Sequence, residues 1–278
     1  MSSRDPVRVS IDGPDMVAHV ILDKPETLNT MTKSFWPQLQ RTFQELDRSA
    51  HVRAVILSAS LESKVFSAGL DLSDAAELIG NPKPRMGIGR KALQLRQQVQ
   101  SMQQALEAIA KCRVPVIAAI HGACIGGGVD LVSTCDIRLV SKDAYFSIKE
   151  VDLAIAADLG TLSRLPKLVG NDSLVRELAF TGRSLAAEQA LQLGFVSRVC
   201  SDPQSLMEEA RALAKNIASK SPIAVIGTKA VLNYSRDHSI SDGLEFVSIW
   251  NMAMLQSDDV IEAVSKLRRK ETPQFSKL

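Results

Sequence analysis

The hydrophobic positions change period several times along the chain. VRVSID (7–12) and MVAHVIL (16–22) alternate apolar and polar residues, which predicts an N-terminal hairpin turning through Gly13-Pro14-Asp15. AVILSAS (54–60) and VPVIAAI (114–120) are short unbroken apolar runs, the pattern of strands buried on both faces. Residues 33–48, and a longer stretch from about 90 to 111, place apolar residues three and four apart and predict helices between those strands. DIRLV and AYFSI follow as further strands, so the first part of the chain reads as an α/β core. From about residue 171 the period is mostly helical, including SLAAEQALQLG, closed by Gly194, and SDDVIEAVSKLRRK, opened by Ser257 and Asp258. The expected division is a core at 1–200 carrying the ligand site and a helical region at 201–278. NPKPRMGIG (81–89) is the expected loop, and no repeat period is present.

Composition narrows the function classes. With 33 basic against 31 acidic side chains in 278 residues, the net charge is +2, and nothing predicts a nucleic-acid footprint. Cys112, Cys124, Cys135 and Cys200 form no CxxC pair and the four histidines are scattered, so neither a metal site nor a disulfide framework is expected. The most apolar segment, VPVIAAIHGACIGGGVDLV, is interrupted by Pro115, His121, glycines and Asp130, so no membrane span is expected and the protein should be soluble. No secretory signal opens the chain, and it closes on Ser276, Lys277 and Leu278, the tripeptide read by the peroxisomal import receptor.

Candidate chemistry concentrates in two kinds of feature. KEVDLAIAADLGTLSRLP (149–166) sets Glu150, Asp152 and Asp158 in or beside an apolar window, where a carboxylate is costly to ionise unless paired or working. Asp152 has the simpler explanation of capping a short helix or facing water. Eight residues separate Glu150 from Asp158, about 12 Å along a helix or about 27 Å along a strand, so they can serve one small ligand only if the chain bends between them. The second feature is a pair of glycine turns after buried strands: FSAGLDL (66–72) and HGACIGGGVD (121–130), the latter opening a helix near Gly127-Gly128. Amides at such turns can bind phosphate or a carbonyl oxygen becoming an enolate, although glycine often serves backbone geometry alone. GIGRKA (87–92) looks like a dinucleotide fingerprint but follows Pro82 and Pro84 rather than a strand, and is discarded. His121, between a buried strand and a turn, reads as structural.

Taken together, FSAGLDL, PVIAAIHGACIGGGVDLVSTCDIRLV, the 149–166 segment and DKPETLNTMT (23–32) resemble the enoyl-CoA hydratase/isomerase, or crotonase, superfamily over nearly the whole chain. The resemblance implies a spiral of ββα units with a helical C-terminal oligomerisation region, an acyl-CoA substrate, and a homohexamer built as a dimer of trimers. It implies a thioester oxygen held by the backbone amides of Leu70 and Gly127. Ala68, Gly69, Leu70, Asp71, Leu72 and Gly127 would line the substrate; Lys64, six residues before Leu70, is a candidate for the CoA phosphates, although a lone surface lysine is more often simply solvated. Hydratases of the superfamily typically carry glutamates at the positions of Asp130 and Glu150 and a glycine-rich turn where this chain has AADLGTLSRL. The combination of GGGVD, KEVD and AADLGTL is instead similar to the branch that converts 3,5-dienoyl-CoA to 2,4-dienoyl-CoA. In that branch Glu150 and Asp158 match the acid/base pair and Asp130 the third active-site carboxylate. Such an isomerisation removes a proton at C2 and adds one at C6, so two carboxylates divide the work, with neither metal nor redox cofactor required. Removing one oxyanion donor costs about 3–4 kcal/mol in comparable sites. The alternatives are a 2-enoyl-CoA hydratase or Δ3-Δ2-enoyl-CoA isomerase, and, outside enzymes, a crotonase-fold scaffold or RNA-binding relative.

Overall fold

The structure, a computed structural model, describes residues 5–74 and 87–277. The predicted hairpin is present: β1 (Val7–Asp12) pairs antiparallel with β2 (Val17–Leu22). β3 (Ala54–Ala59), β4 (Val116–Ile120), β6 (Ile137–Ser141) and β9 (Arg198–Cys200) extend this into a six-stranded sheet of order β1-β2-β3-β4-β6-β9, parallel from β2 onward. A second sheet of order β5-β7-β8 comprises β5 (Ala123–Ile125), β7 (Tyr145–Ser147) and β8 (Leu185–Ala186).

The spiral arises because the chain repeatedly passes from the large sheet to the small one and then into a helix. β4 leads to β5 and α3 (Gly127–Ser133), and β6 leads to β7. After β3 the chain makes the same move with a single bridge, Ser67 to Cys124. The unbroken apolar runs follow from burial on both faces. Val55, Leu57, Val116 and Ala118 face α1 (Phe35–Arg48) and α2 (Ile88–Lys111), packing with Leu39, Phe43, Leu106 and Ile109. Ala54, Ile56 and Ile117 point the other way, onto Leu206, Ala210 and Ala214 of α7 (Pro203–Ala218). Thus α7, though beyond residue 200, completes the core of the large sheet. Residues 81–86 of the expected loop lie outside the described residues, and Ile88 and Gly89 form the first turn of α2.

The remaining helices are α4 (Thr161–Leu168), α5 (Asp172–Thr181), α6 (Ala187–Gln192), α8 (Pro222–Ser235), α9 (Ile240–Met254) and α10 (Asp258–Arg269). Gly194, in the left-handed region at φ 80°, follows α6 as the sequence pattern predicts. α8 is anchored to the core by Lys229, whose Nζ donates to the Val114 carbonyl at 3.0 Å and to Asp136 Oδ2 at 2.6 Å. α9 and α10, with Leu255 just past the end of α9, leave Leu244, Ile249, Met252, Leu255, Ile261 and Leu267 exposed. Among the described residues, no helix is long and apolar enough to cross a membrane. All four cysteines are free and buried.

Candidate active site

The first glycine turn is shaped by a residue far upstream. Asn29, with φ 52°, sits in the left-handed region that Asn tolerates better than most residues. Its Oδ1 accepts from the Lys24 amide at 2.8 Å, and its Nδ2 donates to the Phe66 carbonyl at 3.0 Å. Ser67 Oγ donates to the Asn29 carbonyl at 2.8 Å and accepts from the Gly69 amide at 3.1 Å. The Met31 amide donates to the Gly69 carbonyl at 2.8 Å, and the Asp71 amide to the Met31 carbonyl at 3.2 Å. These bonds use the groups on either side of Leu70 and leave its N–H without an acceptor among the described residues.

The second turn packs directly on the first. The Ser67 amide donates to the Ala123 carbonyl and the Ile125 amide to the Ser67 carbonyl, at 3.1 and 3.0 Å. Gly126 adopts φ 52° and ψ −118°, a conformation open essentially only to glycine, and turns the chain into α3. Gly127 is the first residue of α3, where an N–H has no intrahelical partner. The closeness of the turns is set by missing side chains. A Cβ on Gly69 would lie 2.8 Å from the Ile125 carbonyl oxygen and 3.5 Å from the Gly127 nitrogen, and one on Gly127 would lie 3.9 Å from the Leu70 nitrogen. The two free amides therefore sit side by side, as an oxyanion hole requires.

The carboxylates come from three elements. Asp130, in α3, is 1% exposed, and its Oδ1 accepts from the Thr161 amide at the start of α4 at 2.6 Å. Burial raises its pKa to about 6, opposed by the bonds from Thr161 and reinforced by Asp158. Glu150, 7% exposed, begins a single 3₁₀ turn, Glu150–Leu153. A Cβ on Gly126 would meet its Oε1 at 3.0 Å, which places the carboxyl against the second glycine turn. Its Oε2 is buried without a hydrogen-bond partner. Burial, with the negative charge of Asp130 next, raises Glu150 to about 7. Asp158 is exposed in the single chain, and partial desolvation raises its pKa as well.

The bend expected between Glu150 and Asp158 is present: the 3₁₀ turn ends at Ala154, with φ 58°, and the Ile155 amide returns to the Glu150 carbonyl at 3.2 Å. The apolar window itself needs correction. Val151, Leu153, Ala154, Ile155 and Ala156 are exposed in the single chain, because the turn carries them outward, and they do not form a dry wall. Glu150 is dried instead by its seat beside Gly126 and Asp130. Asp152 faces water and pairs with Lys149 at 2.8 Å, its simpler reading. His121 is buried, with Nε2 2.9 Å from the Ser63 carbonyl oxygen, which fits a structural role.

Ala68 and Leu70 are half-buried in the first turn, Gly69 is buried, and Leu72 is 62% exposed. Asp71 Oδ1 accepts from the amides of Ser73 and Asp74 at 3.0 and 3.1 Å, so this oxygen serves local backbone. Lys64 is exposed on the approach to the turn. Among the described residues, no group of three or more His, Cys, Asp or Glu is placed to hold a metal ion. Sequence reasoning did not single out Asn29 as the clamp or Thr161 as the partner of Asp130. A polar residue tolerant of the left-handed region was the available signal for Asn29, and none marked the Thr161 amide.

A spiral α/β fold bringing two free amides beside buried carboxylates is the architecture of the crotonase class. The chain belongs to the enoyl-CoA hydratase/isomerase family, whose model matches residues 12–277. It is 48% identical over 265 residues to the mitochondrial Δ3,5-Δ2,4-dienoyl-CoA isomerase of Rattus norvegicus, covering 94% of this chain and 80% of that protein. It is 47% identical over 262 residues to the peroxisomal Δ3,5-Δ2,4-dienoyl-CoA isomerase of Arabidopsis thaliana, covering 94% and 93%. Among solved structures, the enoyl-CoA hydratase of Bacillus anthracis superposes with a TM-score of 0.88 at 29% identity, covering 98% of this chain and 99% of that one.

Proposed function

We propose that this protein is a Δ3,5-Δ2,4-dienoyl-CoA isomerase. The observation that carries the reading is the contrast between its two carboxylates on either side of one bend. Glu150 is buried with an unpartnered oxygen and a pKa near 7, whereas Asp158 keeps contact with water. Near neutral pH a carboxyl with a pKa near 7 is partly protonated and can donate, whereas one open to water can accept. Asp158 removes the C2 proton of the 3,5-dienoyl thioester. The electron pair delocalises over the thioester oxygen, C2, C4 and C6, and the amides of Leu70 and Gly127 stabilise the oxyanion as it develops. Glu150 then protonates C6, leaving double bonds at C2 and C4. Each turnover leaves Asp158 protonated and Glu150 ionised, and exchange with solvent resets them. Asp130 orients the start of α4 through Thr161, and its charge helps keep Glu150 protonated. No metal or redox group takes part, since every step is a proton transfer; coenzyme A belongs to the substrate.

The test is steady-state turnover of 3,5-dienoyl-CoA, 3-enoyl-CoA and 2-enoyl-CoA side by side, with deuterium exchange at C2 for the two carboxylate variants. Asp158→Asn should block both exchange and turnover, while Glu150→Gln should exchange at C2 and form little product. A kcat/KM for hydration of 2-enoyl-CoA above that for the dienoyl substrate would overturn the assignment.

Two further elements belong to this reading. The exposed apolar residues of α9 and α10 support a homohexamer made of two trimers; a monomeric mass at micromolar concentration would refute it. Ser276, Lys277 and Leu278, the last outside the described residues, support a peroxisomal address through the import receptor. The plant relative is named peroxisomal and the mammalian ones mitochondrial. Deleting Leu278 should leave a fluorescent fusion diffuse, and unchanged puncta would exclude tail-dependent import.

A further inference from the structure

The segment carrying Asp158 connects an exposed turn to α4 and belongs to no strand, so something outside it must fix where the carboxylate sits. Among the described residues no other side chain donates to that carboxylate, which leaves its position to the backbone beneath it. That backbone is held from α2. Gln103 Nε2 donates to the Asp158 carbonyl at 2.6 Å. One helical turn further along the same face, Glu107 pairs with Arg164, whose Nη1 donates to the Leu159 carbonyl at 3.4 Å. Gly160, with φ 134°, lets the guanidinium lie against the chain, since a Cβ there would collide with Arg164 Nη1. The far end of the segment is held by the Thr161 amide on Asp130.

We infer that Gln103 is a positioning residue for proton removal at C2: its side-chain amide, through the Asp158 carbonyl, sets the reach of the Asp158 carboxylate. The inference rests on the proposed role of Asp158. Gln103 itself touches no reacting atom, and its bond lies near the surface, so its loss alters geometry more than folding. Displacing a reacting group by about 1 Å can cost on the order of 10²-fold in rate.

The experiment measures kcat, KM and C2 deuterium exchange in the full chain for the wild type, Gln103→Met, Gln103→Glu, Asp158→Asn, and the Gln103→Met/Asp158→Asn double variant, with melting temperatures as control. Gln103→Met, similar in size and without a donor, should lower kcat and C2 exchange together by about 10–100-fold, with KM and melting temperature near wild type. Gln103→Glu should be impaired near pH 8, where a carboxylate faces a carbonyl oxygen. Its activity relative to wild type should rise below about pH 5, where the protonated acid can donate. A merely structural role predicts instead that the melting temperature falls and recovers together with the activity. The double variant should be no slower than Asp158→Asn, because a residue that acts only through Asp158 has nothing left to act on. Wild-type exchange in Gln103→Met overturns the inference while leaving Asp158 as the base, provided Asp158→Asn abolishes exchange. Normal exchange in Asp158→Asn overturns the proposed mechanism and this inference with it.

Discussion

Replacing Glu150 by Gln should make the protein more stable and less active at the same time. Glu150 is held protonated by burial and by the charge of Asp130, which move it from its ordinary 4.5 to about 7. A group whose folded-state pKa lies above its unfolded value binds more protons when folded, so stability declines as pH rises from the unfolded value through the folded one. The gap of about 2.5 pH units, at ~1.4 kcal/mol each, puts the full cost of ionising this carboxyl at roughly 3–4 kcal/mol, approached above pH 7. Gln reproduces the protonated acid in shape and cannot ionise. Glu150→Gln should therefore match the wild type near pH 4 and exceed it by up to about 3 kcal/mol at pH 8, as measured by urea denaturation at fixed protein concentration. Isomerase activity should fall by about 10² or more, since the proposed C6 proton donor is gone. A stability difference that is flat between pH 4 and pH 8 would refute the claim that Glu150 is held protonated.

Other outcomes follow from the geometry. Gly69→Ala should reduce kcat by about 10²–10³-fold, because its Cβ would press on the Ile125 carbonyl oxygen and part the two amide-bearing turns; normal kinetics would show that the amide pair is not used. Activity should be lost at high pH as Glu150 ionises and at low pH as Asp158 is protonated. Asp130→Asn removes a charge that raises Glu150, so the alkaline limb of the kcat profile should move to lower pH; an unmoved limb would remove Asp130 from this role. Lys229→Met breaks the buried pair with Asp136 and should destabilise the fold by about 3–5 kcal/mol, whereas Lys142, on the exposed surface, should tolerate Met with little change in denaturation midpoint.

Much of this arrangement is legible in one dimension because it obeys local rules. A strand buried on both faces must be apolar throughout, so AVILSA and VIAAI identify themselves, and the period of residues 33–48 and 90–111 separates helices from strands. The glycine turns are equally visible, since positive φ and close backbone approach select glycine whatever lies nearby, and Glu150 and Asp158 stand out as acids among alanines and leucines.

The tertiary structure decided what depends on residues distant in sequence. Asn29 clamps a turn 37 residues further on, at the Phe66 carbonyl. Asp130 meets the Thr161 amide, and Gln103 the Asp158 carbonyl, 31 and 55 residues away. No period or composition records such contacts. The apolar stretch after Glu150 shows the limit most clearly: its composition predicts a dry wall, yet a left-handed residue at Ala154 turns it toward solvent. Side-chain type set which residues were capable of acid–base chemistry. Burial and neighbouring charge, which exist only after folding, raised Glu150 to about 7 and left Asp158 open to water.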